Sequence, residues 1–360
     1  MPRPGSCRSS GTTRIAPGPL DYRYDVAPAN QKVVVTHWVA DDVLDYLREF
    51  SRPIAPREPT VFSRSEVLAH ARDASAILAC MADWVDSSFL AACPRLRIIS
   101  AALKGFDNFD AAACEQHGVW LTIVPDLLTE PTADLAVALT LDVTRRVSEA
   151  DRDLRVNGFS GWRPVFYGIG LSGATVGLLG MGALGRAVAR RLIGFGCHTV
   201  YFDAQPLALH EEKTLMVRQV GFEELLTMCD IVLALLPLTP NTHHLLSAAA
   251  IAQLRPGACL VNVGRGSVVD EQAVAAALIG GQLGGYAADV FEMEDWARAD
   301  RPQAIPPALL KHPRTVLTPH LGSAVRTVRR DIALTAARQI QQVLSGNRPD
   351  HPVNEPTTAV

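Results

Sequence analysis

The chain has 360 residues, a formal net charge of −3 and a pI near 6.4. That length supports two domains with separate cores, and the balance of charge excludes a basic surface for nucleic acid or anionic membrane. Hydrophobic residues make up 48% of the chain, yet Gly, Asp or Arg interrupts every apolar run well before the ~18 residues of a membrane span.

Residues 1–30 are rich in Pro, Gly, Ser and Arg and have no amphipathic period, so a disordered extension is expected there. From Lys32 onward apolar runs at 33–37, 76–79, 96–101 and 120–124 read as strands. Helical stretches at 41–50, 65–72 and 86–92 separate them. Such alternation predicts parallel strands joined by helical crossovers. One long helix is expected from Thr132 to Arg155, opened by Pro131 and ended near Gly158. The following loop carries Trp162, Arg163, Phe166 and Tyr167, which either plug a surface gap or wall a site.

The next stretch organises the chain. TVGLLGMGALGR, residues 175–186, is a short apolar strand, a turn through Gly180, Gly182 and Gly185, and the start of a helix. The spacing G-x-G-x-x-G suits a dinucleotide. Gly180 permits the tight turn, Gly182 lets a pyrophosphate approach the backbone, and Gly185 lets helix and strand pack closely. The helix N-terminus then offers free N–H groups to the phosphates. A second apolar run ends in Asp203, 203 − 185 = 18 residues past the last glycine, where an acid would bind the adenosine ribose hydroxyls. Further strands are expected at 231–235, 259–263, 285–288 and 315–317, and a last helix from Ala324 to Leu344.

The expected fold is therefore α/β, with two Rossmann-like doubly wound parallel sheets and a site in the cleft between them. The expected domains are 31–128 with 320–350 for substrate, and 129–319 for NAD. Seven scattered cysteines without a C-x-x-C pair read as reduced thiols of a cytoplasmic protein.

Ligands in open α/β sheets sit beyond the carboxyl ends of strands. Arg265, Glu294 and His320 all follow such ends. An arginine fork grips an oxyanion, a histidine moves a proton near neutral pH, and a glutamate fixes the histidine tautomer. Each residue alone has a bland structural explanation. His243 and His244 compete with His320, but they are read as part of a helix-like stretch.

The motifs GLLGMGALG, NVGRGSVVDE, AADVFEME and TPHLGSA together resemble the D-2-hydroxy-acid dehydrogenase family. The resemblance implies an NAD(H)-dependent, usually dimeric enzyme with Arg265, Glu294 and His320 as its catalytic set. It also implies a cofactor site at Lys104, Thr132, Gly180, Gly182, Ala183, Leu184, Gly185 and Asp203. That site continues through Leu235, Leu236, Pro237, Val263, Gly264, Arg265, Asp289, His320, Gly322 and Ser323, with no metal. ALKGFDNFDAAAC, GWRPVFYG and GYAADVFEMEDWARADRP are similar to the phosphite-oxidising (phosphonate dehydrogenase) members in particular. Ordinary members tend to carry Glu-Pro after the DVF motif, and here Glu294 is followed by Asp295 and Trp296. The reaction so implied is oxidation of phosphite to phosphate with reduction of NAD⁺. Substrate contacts would come from Lys104, Gly105, Arg265 and Arg329, with Trp162 and Tyr167 excluding water. Two other readings are an ordinary 2-hydroxy-acid dehydrogenase and an NAD(H)-sensing binding module.

Overall fold

The computed structural model describes residues 31–356. The extension expected over residues 1–30 lies outside them. Among the described residues, twelve strands build two wholly parallel sheets. The first contains β1 (Lys32–Val35), β2 (Arg52–Ile54), β3 (Ala76–Ala79), β4 (Ile98–Ala101) and β5 (Trp120–Thr122), in the order β2-β1-β3-β4-β5. The second contains β6 (Thr175–Leu179), β7 (His198–Phe202), β8 (Val217–Gln219), β9 (Ile231–Ala234), β10 (Ala258–Asn262), β11 (Leu283–Ala288) and β12 (Thr315–Leu317). Their order is β12-β11-β10-β9-β6-β7-β8, so the winding reverses between β6 and β9. A crevice opens at such a switch point, beyond the carboxyl ends of the strands.

The central strands are buried on both faces, which explains their continuous apolar runs: β3, β4, β9 and β10 have no exposed residue. The two strands that the apolar pattern does not predict, β2 and β8, are outer edges of their sheets. Each has three residues, and β2 includes Pro53. Edge strands need no apolar pattern and tolerate proline.

The long helix expected over 132–155 is two helices, Thr129–Arg145 and Val147–Asn157. Arg146 breaks it with a left-handed backbone, φ 57°. Its guanidinium forms a double hydrogen bond to Glu149, 2.7 Å each, and lies over the Phe166 ring. Those contacts offset the cost of a left-handed non-glycine residue, about 1–2 kcal/mol. The first helix buries eight residues against the second sheet, whereas the second buries none. The last helix, Arg326–Leu344, packs Ile332, Ala336 and Ile340 onto the first sheet. The chain thus crosses between the sheets just before Thr129 and again after His320.

Gly185 sits where the helix Ala183–Leu192 crosses the turn: a Cβ there would lie 2.2 Å from the Gly180 carbonyl oxygen. Gly185→Ala is expected to cost about 1–3 kcal/mol in urea unfolding. It should also weaken NAD binding, because the helix N-terminus must move away from the turn.

Candidate active site

Five strand ends of the second sheet (β6, β9, β10, β11 and β12) and two of the first (β3 and β4) converge on a single cleft with a cavity volume of about 340 Å³. Lys104 and Gly105 follow β4, Arg265 follows β10, Asp289 follows β11 and His320 follows β12. Of the candidate residues named above, all line this cleft except Gly180, Gly185, Asp203, Arg329, Trp162 and Tyr167.

The histidine is fixed from two directions. His320 Nδ1 lies 2.7 Å from Glu294 Oε2, and the other oxygen of Glu294 accepts from the Phe291 N–H at 2.8 Å. With Nδ1–H donating to the carboxylate, Nε2 carries the lone pair and faces the cleft as a proton acceptor. The His320 backbone is left-handed, φ 55°. Asp289 compensates: its carboxylate takes the Thr318 hydroxyl and the N–H groups of Leu321 and Gly322, at 2.6, 2.6 and 2.8 Å. Burial raises the Asp289 carboxyl above its usual range, while these hydrogen bonds oppose that shift.

The arginine is held across the two sheets. Arg265 Nε donates to Asp107 Oδ1 at 2.9 Å, and Nη1 donates to the Gly264 carbonyl at 3.0 Å. Nη2 has no partner among the described residues, and it occupies the space a side chain on residue 105 would need. A Cβ on Gly105 would lie 1.6 Å from it. Asp107 was not singled out in the sequence, although it stands only three residues past Lys104. Asn108 was missed too. Its side-chain amide donates to the Glu294 carbonyl at 3.4 Å and accepts from the Ala297 N–H at 3.2 Å.

The expected cluster of three cations is reduced to two. Lys104 is exposed in the cleft with no carboxylate partner among the described residues. Arg329 lies beneath the wall, donating to the Ala102 carbonyl (3.3 Å) and the Ser323 hydroxyl (3.4 Å) and approaching His37 Nε2 (3.4 Å). Burial and that guanidinium drop His37 to about 3, so its ring stays neutral. Trp162 and Tyr167 are 81% and 71% exposed and wall nothing in this chain. His243 and His244 lie in a turn, not a helix, with His244 Nε2 paired to Glu292 at 2.8 Å. The buried thiols of Cys80, Cys114 and Cys229 are pushed up to about 12 by burial, which removes them as nucleophiles.

The second sheet fits a dinucleotide. Nothing lies within 4 Å of where a Gly182 Cβ would be, so the backbone there is open to a pyrophosphate. The helix Ala183–Leu192 has no side-chain cap, which leaves its first N–H groups for an anion. Asp203 is pinned by the N–H groups of Met181 (2.7 Å) and Gln205 (2.9 Å) at the end of β7.

Residues 137–322 match the family profile described as D-isomer specific 2-hydroxyacid dehydrogenase, NAD binding domain. The chain belongs to that family. It is 33% identical over 329 residues to a glyoxylate reductase of Thermococcus litoralis, covering 90% of this chain and 97% of that one. It is 35% identical to a glyoxylate reductase of Thermofilum pendens, covering 91% and 95%. Among solved structures, the TT0316 protein of Thermus thermophilus superposes with a TM-score of 0.80 at 34% identity, covering 90% and 100%. An NADPH-dependent glyoxylate/hydroxypyruvate reductase of Sinorhizobium meliloti, in complex with NADP and malonate, gives 0.78 at 28% identity, covering 92% and 99%. These findings make the chain an NAD-binding oxidoreductase of the 2-hydroxyacid dehydrogenase type. The named relatives are glyoxylate reductases, which agrees with the alternative drawn from the sequence rather than with its first expectation.

Three outcomes follow from this geometry. Gly105→Ala is expected to displace the Arg265 guanidinium and raise KM for the anionic substrate at least ~10-fold, with KM for NAD little changed. Steady-state kinetics with each substrate varied checks this. Asp203 opposes a 2′-phosphate: like charges ~4 Å apart cost about 4 kcal/mol at an effective dielectric of ~20. After screening, NAD is expected to outperform NADP by on the order of 100-fold in kcat/KM. The third concerns Glu271, buried behind the site and raised by burial to about 7 from 4.5. The folded state holds that proton more tightly, so stability is present at acid pH and lost as pH rises through that window. Glu271→Gln should therefore gain on the parent in thermal unfolding from about pH 5 to 8, by on the order of 1 kcal/mol.

Proposed function

We propose that the substrate is phosphite, oxidised to phosphate as NAD⁺ is reduced. The observation that carries this reading is the pairing of unneutralised Lys104 with Arg265 beside the acceptor nitrogen of His320. Two cations suit a small dianion, whereas a 2-hydroxy acid carries a single carboxylate for the arginine. The similarity of ALKGFDNFD and FEMEDWARADRP to phosphite-oxidising enzymes supports it. Bound NAD⁺ supplies the hydride acceptor at its nicotinamide ring. Arg265 Nη2 and Lys104 hold the phosphite oxygens. His320 Nε2 takes a proton from water as its oxygen bonds to phosphorus, and the P–H hydrogen departs with its electron pair. Glu294 keeps the imidazole in the accepting tautomer through its hydrogen bond to Nδ1.

The relatives favour a second reading, glyoxylate reduction. There Arg265 grips the carboxylate and His320 donates its proton to the aldehyde oxygen. Comparison of kcat/KM for phosphite with that for glyoxylate, hydroxypyruvate and D-lactate separates the two. Phosphite is expected to exceed each by at least ~100-fold. If a carbon substrate wins, the phosphorus reading fails and the family activity stands. His320→Asn is expected to lower kcat by about 10²–10⁴ in either case while NAD still binds.

We also propose a homodimer in the cytoplasm. The helix Val147–Asn157 and the loop after it expose Leu154, Val156, Phe159, Trp162 and Tyr167. Large exposed apolar side chains gathered in one segment mark an interface, and a second copy is the partner that fits a usually dimeric family. Val156→Asp with Phe159→Asp is expected to halve the mass seen by sedimentation.

A further inference from the structure

Two tryptophans meet across the cleft, outside the catalytic set. Trp84 follows β3 in the first sheet; Trp296 lies two residues past Glu294. Their rings stack at 5.7 Å between centroids and 11° between planes. A cation lies over each ring: the Arg64 guanidinium carbon is 4.0 Å from the centre of Trp84, and that of Arg301 is 4.4 Å from the centre of Trp296. Arg64 also donates to the Trp84 carbonyl. Each half of the molecule thus contributes one indole and one guanidinium to the contact. Both kinds of contact are attractive in this geometry.

The stack does not act alone. The Val85 N–H donates to the Asn108 carbonyl at 3.0 Å, and the Asn108 side chain grips Glu294 and Ala297. Trp84 and Asn108 are thus parts of one block of the first sheet, and together they hold residues 294–297 from two sides. Glu294 is the group that orients His320. Its backbone is anchored on the nucleotide-binding side by Asp295, whose carboxylate accepts from the Ser267 N–H at 2.9 Å and from the Ser267 hydroxyl.

We propose that Trp84 and Trp296 form a clasp across the cleft that positions Glu294, and through it His320, for proton transfer. Trp84 is a positioning residue: it touches neither substrate nor cofactor. The inference rests on the family's hydride transfer and not on which anion is oxidised, so the assay uses whichever anion the enzyme turns over.

Trp84→Ala is expected to lower kcat/KM for the anion about tenfold, with the dissociation constant for NAD alone unchanged. Trp84→Phe keeps an aromatic face for Trp296 and Arg64, and is expected to recover most of the loss. A merely structural tryptophan would instead lower the unfolding temperature and weaken NAD binding together. Equal kcat/KM in parent and Trp84→Ala would overturn the proposal, as would a loss matched by an equal loss of NAD affinity. If Trp84→Ala does not fold, circular dichroism of the parent decides. Two stacked indoles give an exciton couplet, expected to vanish in both Trp84→Phe and Trp296→Phe and to strengthen on adding NAD⁺ with the anion. A parent couplet unmoved by those ligands counts against a clasp that works with the reaction.

Discussion

One buried carboxylate holds the catalytic end of this molecule in shape. Asp289 stands at the end of β11 and ties down the turn through which the chain leaves the second sheet to return to the first. That turn contains His320 in a conformation that a β-carbon disfavours. The three hydrogen bonds that the carboxylate accepts offset the cost of that conformation. The same turn is a crossing between sheets, so the placement of His320 and the return of the chain to the first sheet pass through the same few residues.

Parallel topology explains why the remaining groups arrive at the same place. Every strand of a parallel sheet delivers its carboxyl end to one side. Two such sheets, with those ends turned to a shared cleft, bring together residues as distant in sequence as Lys104 and His320. The functional side chains need no long excursions. They follow β4, β10, β11 and β12 within a few residues.

The features legible in the sequence are those dictated by a strong local rule. The glycine turn, the fully buried strands and the positions of Arg265, Glu294 and His320 all follow from pattern. What escaped lacks such a rule. The edge strands β2 and β8 have no inner face to advertise. The break at Arg146 depends on Glu149 and Phe166, contacts that no helical period encodes. Asp107 and Trp84 meet partners far along the chain, as the Asp107–Arg265 pair shows with its separation of 158. Aromatic character left the roles of Trp162 and Tyr167 open and the resemblance put them near substrate; in this chain both are exposed to solvent. The glyoxylate reductases among the relatives also show that family motifs are far more legible than the identity of the anion.

The contact between Arg265 and Gly105 carries one more consequence. The guanidinium belongs to the sheet that binds the nucleotide, and the glycine to the other. Any contact that uses both exists only while the two halves are together, whereas the glycine turn and the helix after it lie within one half. The two halves are coupled at this point: a shift of one against the other moves the guanidinium relative to residue 105 and leaves the glycine turn of the second sheet unaltered.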